Sequence, residues 1–193
     1  MSEMDVNYLN VIRMNVVKFM KHVAASYADD QGRLLDIAPQ DHEGATPFFP
    51  VGIQIETFDI NPASGATHIG DICQKNKCLG DESFDYVVCT EVLEHTLQPF
   101  GAIDEIHRLL KAGGYLFLTT PFNFRIHGPL PDCWRFTEHG LRQLLRKFEI
   151  VELDQVEAAD RSLMPIHYSV VARKPGKRRH NDGNHQSASG ASR

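Results

Sequence analysis

Apolar residues recur along this chain with two different periods, and the change between them lays out the elements. Val6, Leu9, Ile12, Val16, Phe19, Met20 and Val23 follow one another mostly at three- and four-residue steps. That is the spacing of one face of an amphipathic helix, here expected to be core packing within an N-terminal helical region spanning 1–29. After Gly32 the period shortens. Leu34, Leu35 and Ile37 form a short run closed by Pro39, Ile53 to Ile60 is rich in β-branched and aromatic residues, and Ala66 to Ile69 and Phe84 to Thr90 follow. These predict four buried strands. Phe100, Ile103, Ile106, Leu109 and Leu110 then mark a helix, with Pro99 near its start and Gly113 just past its end. Tyr115 to Thr120 predicts a strand. Leu141, Leu144, Leu145 and Phe148 predict a helix with Thr137 as N-cap, and two strands, Glu149 to Val156 and Ile166 to Arg173, end the pattern. Strands alternating with helices imply an α/β fold: a Rossmann-like three-layer sandwich with a mostly parallel seven-stranded sheet and helices on both faces.

The chain has 193 residues, 42% of them hydrophobic, enough for one domain, 1–174, and too few for two. From Pro175 onward no large apolar residue occurs, so 175–193 is expected to be a disordered basic tail, solvated or touching an acidic partner or RNA. The net charge of −5 conceals a division. From Arg173 onward six basic residues face one acid, Asp182, which leaves −10 on the preceding body. An acidic body argues against a surface that coats nucleic acid. Apolar stretches are far shorter than the ~18 residues of a membrane span, and no signal core follows the N-terminus. Cys73, Cys78, Cys89 and Cys133 are too few and irregular for a disulfide framework, so the expected compartment is the reducing cytoplasm.

In such a sheet, ligands bind beyond the carboxyl ends of the strands, where strand order reverses. The residues there are Asp36 with Ala38-Pro39-Gln40, Asp59 with Ile60, Asp71 with Ile72, and Thr90 with Glu91. Asp59 lies 23 residues beyond Asp36, where nucleotide-binding α/β folds place the acid that accepts from ribose hydroxyls. An Asp before Asn-Pro is equally a turn starter. The first loop, DIAPQDHEG, has one glycine and three acids and lacks the G-x-G-x-x-G that lets backbone amides approach a pyrophosphate. NAD and ATP are therefore disfavoured, while an adenosine bearing a sulfonium and an ammonium suits an acidic pocket.

LLDIAPQ, TFDINP, IGDIC, FDYVVCTEVLEH and LKAGGYLFLTTP, in this order over residues 33–156, resemble the motifs of class I S-adenosylmethionine-dependent methyltransferases, especially the small-molecule and sugar O-methyltransferase group. The resemblance implies that Asp36 and the Ala38-Pro39-Gln40 turn lie under the methionine part. It further implies that Asp59 holds the ribose diol, that Asp71 and the Ile72 amide read adenine, and that Thr90 and Glu91 line the cofactor near the sulfonium. The chain departs from the family in its first loop, where Ala38, Pro39 and Gln40 replace the usual glycines.

The segment PFNFRIHGPLPDCWRFTEHGL resembles an acceptor-pocket segment of the same group. His127 is the first choice for the base that removes a hydroxyl proton, with loop-holding as its structural alternative. Trp134 reads as a core anchor ahead of a substrate stacker, and Arg135 as a partner of Asp132 or another acid. Glu91-Val-Leu-Glu94-His95 resembles E-x-x-E-H runs that bind a divalent metal in ubiquinone-pathway O-methyltransferases and in small-RNA 2′-O-methyltransferases, with His127 as a fourth ligand. Many relatives carry the run without metal, so the expectation is no metal. Cys73 and Cys78 lack a second pair for zinc. The expected protein is a methyltransferase acting on a small-molecule or sugar hydroxyl. A metal-assisted RNA-terminal methyltransferase and a non-catalytic protein retaining the fold compete with it. The N-terminal helix covers either the sheet or a neighbouring subunit.

Overall fold

A computed structural model describes residues 1–39, 44–159 and 161–176. Gln40 and residues 177–193 of the expected tail lie outside the described residues.

Helix α1 spans Glu3–Tyr27 and opens with a capping box: the Ser2 hydroxyl accepts from the Asp5 N–H while the Asp5 carboxylate accepts from the Ser2 N–H. Strands β1 (Gly32–Ile37), β2 (Ile53–Asp59), β3 (His68–Ile69) and β4 (Phe84–Thr90) follow. Helix α2 (Pro99–Leu109), β5 (Leu110–Pro121), α3 (Glu138–Leu144), β6 (Glu149–Val156) and β7 (His167–Arg173) complete the order. The seven strands form one sheet in the order β3-β2-β1-β4-β5-β7-β6.

Strand alternation divides the core. Leu34, Tyr86, Val88, Phe117 and Val171 face α1 through Phe19, Met20, Val23 and Ala24. Leu35, Ile37, Val87, Cys89, Leu116, Leu118 and Val170 face the opposite way, onto α2 and α3. The layered α/β expectation thus holds, with helices on both faces. The sheet is mixed, however: β1 to β5 pair in parallel, whereas β7 runs antiparallel to both β5 and β6. Residues 157–166 alone join β6 to β7, too short a link for the crossover that a parallel neighbour needs.

The expected helix carrying Leu110 ends one residue earlier. Leu110 caps α2, its N–H still bonded to Ile106 O, and its extended backbone pairs with Phe84 as the first residue of β5. Gly113, at φ +86°, is therefore a bend inside β5 and not the helix terminus. Thr137 does cap α3, accepting from the Gly140 N–H. All four cysteines are free thiols.

Strand order reverses between β1 and β4, which lie side by side with Asp36 opposite Val88. The crevice above their carboxyl ends is the position such sheets reserve for ligands. Beneath it, the fully buried Phe117 ring meets Tyr27, Phe49, Tyr86 and Tyr115 with centroids 6.0–6.2 Å from its own. Phe117→Ala is expected to destabilise the fold by about 3–5 kcal/mol in urea denaturation. A loss below about 1 kcal/mol would show that α1 does not depend on this cluster.

Candidate active site

A cavity of about 800 Å³ opens at the switch point. Asp36, Ala38 and Pro39 line it from the end of β1, Thr90 and Glu91 from the end of β4, and His95 and His127 from the facing loops. Another wall is α1, through Leu9, Ile12, Arg13, Val16, Val17 and Met20, and Pro47, Phe48 and Phe124 add apolar surface. The apolar stripe expected to be core packing therefore has two jobs. Its C-terminal part enters the core, its middle part roofs the cavity, and Val6 is exposed.

Asp36 is 2% exposed, and its Oδ2 accepts from the Ala45 N–H at 2.7 Å. Burial pushes its carboxyl up to about 6, with the Ala45 bond opposing the shift. The loop can return to this carboxylate because Gly44 adopts φ +56°, where an added Cβ would stand 2.3 Å from Asp36 Oδ2. The one glycine of the first loop thus serves the return of the chain. Ala38 takes the left-handed conformation itself, at φ 50°, with its N–H bonded to Phe58 O at 2.7 Å. Alanine there accepts a strain that glycine avoids.

Glu91 is likewise left-handed, at φ 56°. Its Oε1 accepts from Thr119 Oγ1 at 2.8 Å and lies 2.6 Å from His167 Nε2. Four of the expected cofactor residues, Asp59 at the end of β2, Ile60 just after it, and Asp71 and Ile72 beyond β3, are not among the residues lining the cavity. Asp59 Oδ1 accepts from the Asn61 N–H at 2.7 Å, which realises the turn geometry. Asp71 Oδ1 accepts from the Cys73 N–H at 2.9 Å and Oδ2 from Gln74 Nε2 at 3.1 Å. Ile72 is buried and Ile60 exposed.

The E-x-x-E-H run separates. A 3-10 turn over Leu93–His95 carries Glu94 inward while Glu91 stays with His167. Among the described residues, ligand atoms of Glu94, His95 and His127 lie within 4.8 Å of one another. Both Glu94 oxygens are buried with no hydrogen-bond partner, and burial foremost, then the nearby Glu91, raises this carboxyl well above the usual range. His95 Nδ1 is 3.0 Å from Pro131 O, a contact that makes it the donor and leaves Nε2 toward Glu94. His127 Nε2 is 3.8 Å from Glu94 Oε1 and its Nδ1 is 3.0 Å from Asp132 Oδ2, off the line of a hydrogen bond. Burial lowers the His127 pKa, opposed by the Asp132 charge. Such a set could hold a divalent ion.

Arg135 takes the expected pairing with Asp132, through Nη1 to Oδ1 at 2.5 Å and Nη2 to Oδ2 at 2.8 Å. This guanidinium holds Asp132 far below the usual carboxylate range and fastens the loop that presents His127. Trp134 is 40% exposed and donates its indole N–H to Thr96 O, so it anchors the loop edge instead of the core. The sequence reading missed Arg13, Asn15 and His167. Only the polar interruptions they make in apolar stretches could have signalled them.

The profile of the methyltransferase-domain family matches residues 15–178, and the chain belongs to this family, within the class I S-adenosylmethionine-dependent methyltransferases. The ubiquinone biosynthesis O-methyltransferase of Aliivibrio fischeri is 29% identical over 97 residues, covering 46% of this chain and 42% of that protein. The chain thus matches less than half the length of this curated relative. An S-adenosylmethionine-dependent methyltransferase from Methanosarcina mazei shares the fold with a TM-score of 0.62 at 19% identity, covering 80% of this chain and 98% of its own. Phosphoethanolamine N-methyltransferase 2 of Haemonchus contortus, solved with S-adenosylmethionine, has a TM-score of 0.63 at 17% identity, covering 82% and 52%.

The raised Asp36 carboxyl gives a pH signature. In the unfolded chain it ionises near its ordinary value, while the folded state holds the proton up to about 6. The contribution of Asp36 to stability is therefore most favourable below about pH 4, falls as pH rises toward 6 and levels off above it. Asp36→Asn keeps the acceptor for Ala45 and removes this loss. Relative to wild type, its stability in urea denaturation is expected to be unchanged at pH 4 and to gain up to about 3 kcal/mol at pH 8. A pH-independent difference would contradict the assignment.

Proposed function

We propose that this chain is an enzyme that transfers the methyl group of S-adenosylmethionine to a hydroxyl of a small molecule or sugar. The observation that carries this reading is the pairing of two carboxylates, Asp36 and Glu91, with one full cation, Arg13, around a single cavity at the switch point. The ligand has matching charges: an ammonium, a sulfonium and a carboxylate. Asp36 and Glu91 receive the cationic centres, and Arg13 the carboxylate. Asp59 offers its remaining oxygen to the ribose, while Ile60, Asp71 and Ile72 flank the adenine. Ala38 and Pro39 lie under the methionine part, and Thr90 beside it.

The bound cofactor supplies an electrophilic methyl on sulfur. His127, kept neutral by burial, accepts the hydroxyl proton on Nε2 as the new C–O bond forms, and the sulfur keeps the electrons of the C–S bond. Phe124 and the apolar side of α1 exclude water around the acceptor. The acidic body favours a small acceptor over RNA. No described helix is long and apolar enough to cross a membrane.

A second, metal-assisted reading is favoured by one observation, the buried and unpartnered Glu94 carboxylate between two imidazoles. Glu94, His95 and His127 would then hold a divalent cation that lowers the acceptor hydroxyl's pKa, and His127 could not serve as base. RNA termini are the alternative acceptor under this reading.

Isothermal titration is expected to show saturable binding of S-adenosylhomocysteine. Absence of heat and of a thermal shift at millimolar ligand would overturn the function and leave a non-catalytic fold. Arg13→Ala should weaken S-adenosylhomocysteine about tenfold and leave methylthioadenosine, which lacks the amino-acid part, unchanged. Methyl transfer screened on small alcohols, sugars and RNA, with and without Mg²⁺ or Mn²⁺, identifies the acceptor. Chelator-insensitive activity lost by at least about a hundredfold in His127→Ala supports the metal-free base. Activity that requires Mn²⁺, with metal binding weakened more than about tenfold by Glu94→Gln, supports the second reading.

A further inference from the structure

Asn15 interrupts the apolar stripe of α1 between Ile12, Val16 and Phe19. Asparagine is a poor helix-interior residue because its side chain competes for backbone hydrogen bonds. Here its Nδ2 lies 2.8 Å from Nδ1 of His167, a fully buried side chain at the start of β7. The other ring nitrogen, Nε2, lies 2.6 Å from Glu91 Oε1. Three elements far apart in sequence, α1, β7 and the end of β4, are thus joined through one imidazole.

The proton on Nε2 follows from the carboxylate end, and the state of Nδ1 from the Asn15 amide nitrogen that faces it. Glu91 Oε1 already accepts from Thr119 Oγ1, and an ionised carboxylate only accepts, so His167 must present Nε2–H to it. In a neutral ring Nδ1 is then an acceptor, and the Asn15 amide turns its NH₂ toward it. Oε1 of Glu91 is held by two donors. Oε2 has no hydrogen-bond partner among the described residues, on a side chain that lines the cavity.

We propose that Asn15 and His167 are positioning residues: they lock Glu91 with one oxygen engaged and the other presented to the cationic end of the cofactor, so that docking of α1 prepares the site. This rests on the proposed cofactor and extends it to two residues outside the cavity lining. A free carboxylate at Glu91 would sample several rotamers, which the two donors on Oε1 prevent.

The test uses the full chain labelled with ¹⁵N-histidine. In wild type without ligand, His167 is expected to show a protonated Nε2 and an unprotonated Nδ1. Asn15→Asp replaces the donor by an acceptor and should protonate Nδ1, with S-adenosylmethionine binding about tenfold weaker. His167→Gln, which can still donate to Glu91, should bind within about threefold of wild type, whereas His167→Leu should lose about tenfold or more.

A wild-type Nδ1–H signal would overturn the proposal. So would Asn15→Asp and His167→Leu proteins with lowered melting temperatures but unchanged dissociation constants, the pattern of a merely structural pair. If His167→Leu does not fold, Asn15→Asp and His167→Gln carry the decision. Loss of affinity in His167→Gln equal to that of a Glu91→Ala variant would also count against it. Wild-type protein that binds no S-adenosylmethionine would sink the proposed function, and the tautomer signal of the free protein would still decide the contact.

Discussion

Removal of the Asp36 carboxylate from water is the constraint around which the rest of the site is arranged. One backbone N–H, that of Ala45, compensates it, and this bond exists only because Gly44 turns left-handed and lets the loop come back. A lone hydrogen bond does not restore what burial removes, so the group is held in a state the folded chain alone does not favour. A cation beside it would change that balance. Folding stability is thus given up at a position where binding can return it, a trade found where local rules of good packing are broken.

A second break of those rules sits across the cavity. Glu94 is fully buried with neither oxygen satisfied, while three residues away Glu91 is engaged by Thr119 and His167. The two carboxylates share a motif but face opposite problems. Glu91 has donors and needs direction; Glu94 has two imidazoles near it and needs a proton or a cation.

Much of the architecture was legible because it depends on period and on local signals. β4 begins and ends where its β-branched and aromatic run does, and Thr137 caps α3 as its side chain requires. The antiparallel β7 was not legible, because a buried strand has the same apolar pattern in either direction. The end of α2 was misplaced because Leu110 satisfies both a helix face and a strand. In the site, strand-end residues Asp36 and Glu91 could be found from position alone. The separation of Glu91 from Glu94 could not, since the irregular turn after β4 decides it. Asn15 and His167 were hidden for another reason: each is one polar residue in an apolar run, and only their meeting, 152 positions apart, gives them meaning.

The way α1 is fastened has a temporal side. Tyr27 and His22 bond to Glu152 in β6, and Asn15 to His167 in β7, so these polar partners of the early helix lie in the C-terminal hairpin, while its apolar face also packs on β1, β4 and β5. As the polypeptide leaves the ribosome, these polar bonds must wait through the making of more than a hundred residues, after the apolar partners in β1, β4 and β5 are present. A nascent chain that holds β1 to β5 still lacks the imidazole that engages Glu91. Closure of the hairpin is therefore the step that brings His167 between Asn15 and Glu91.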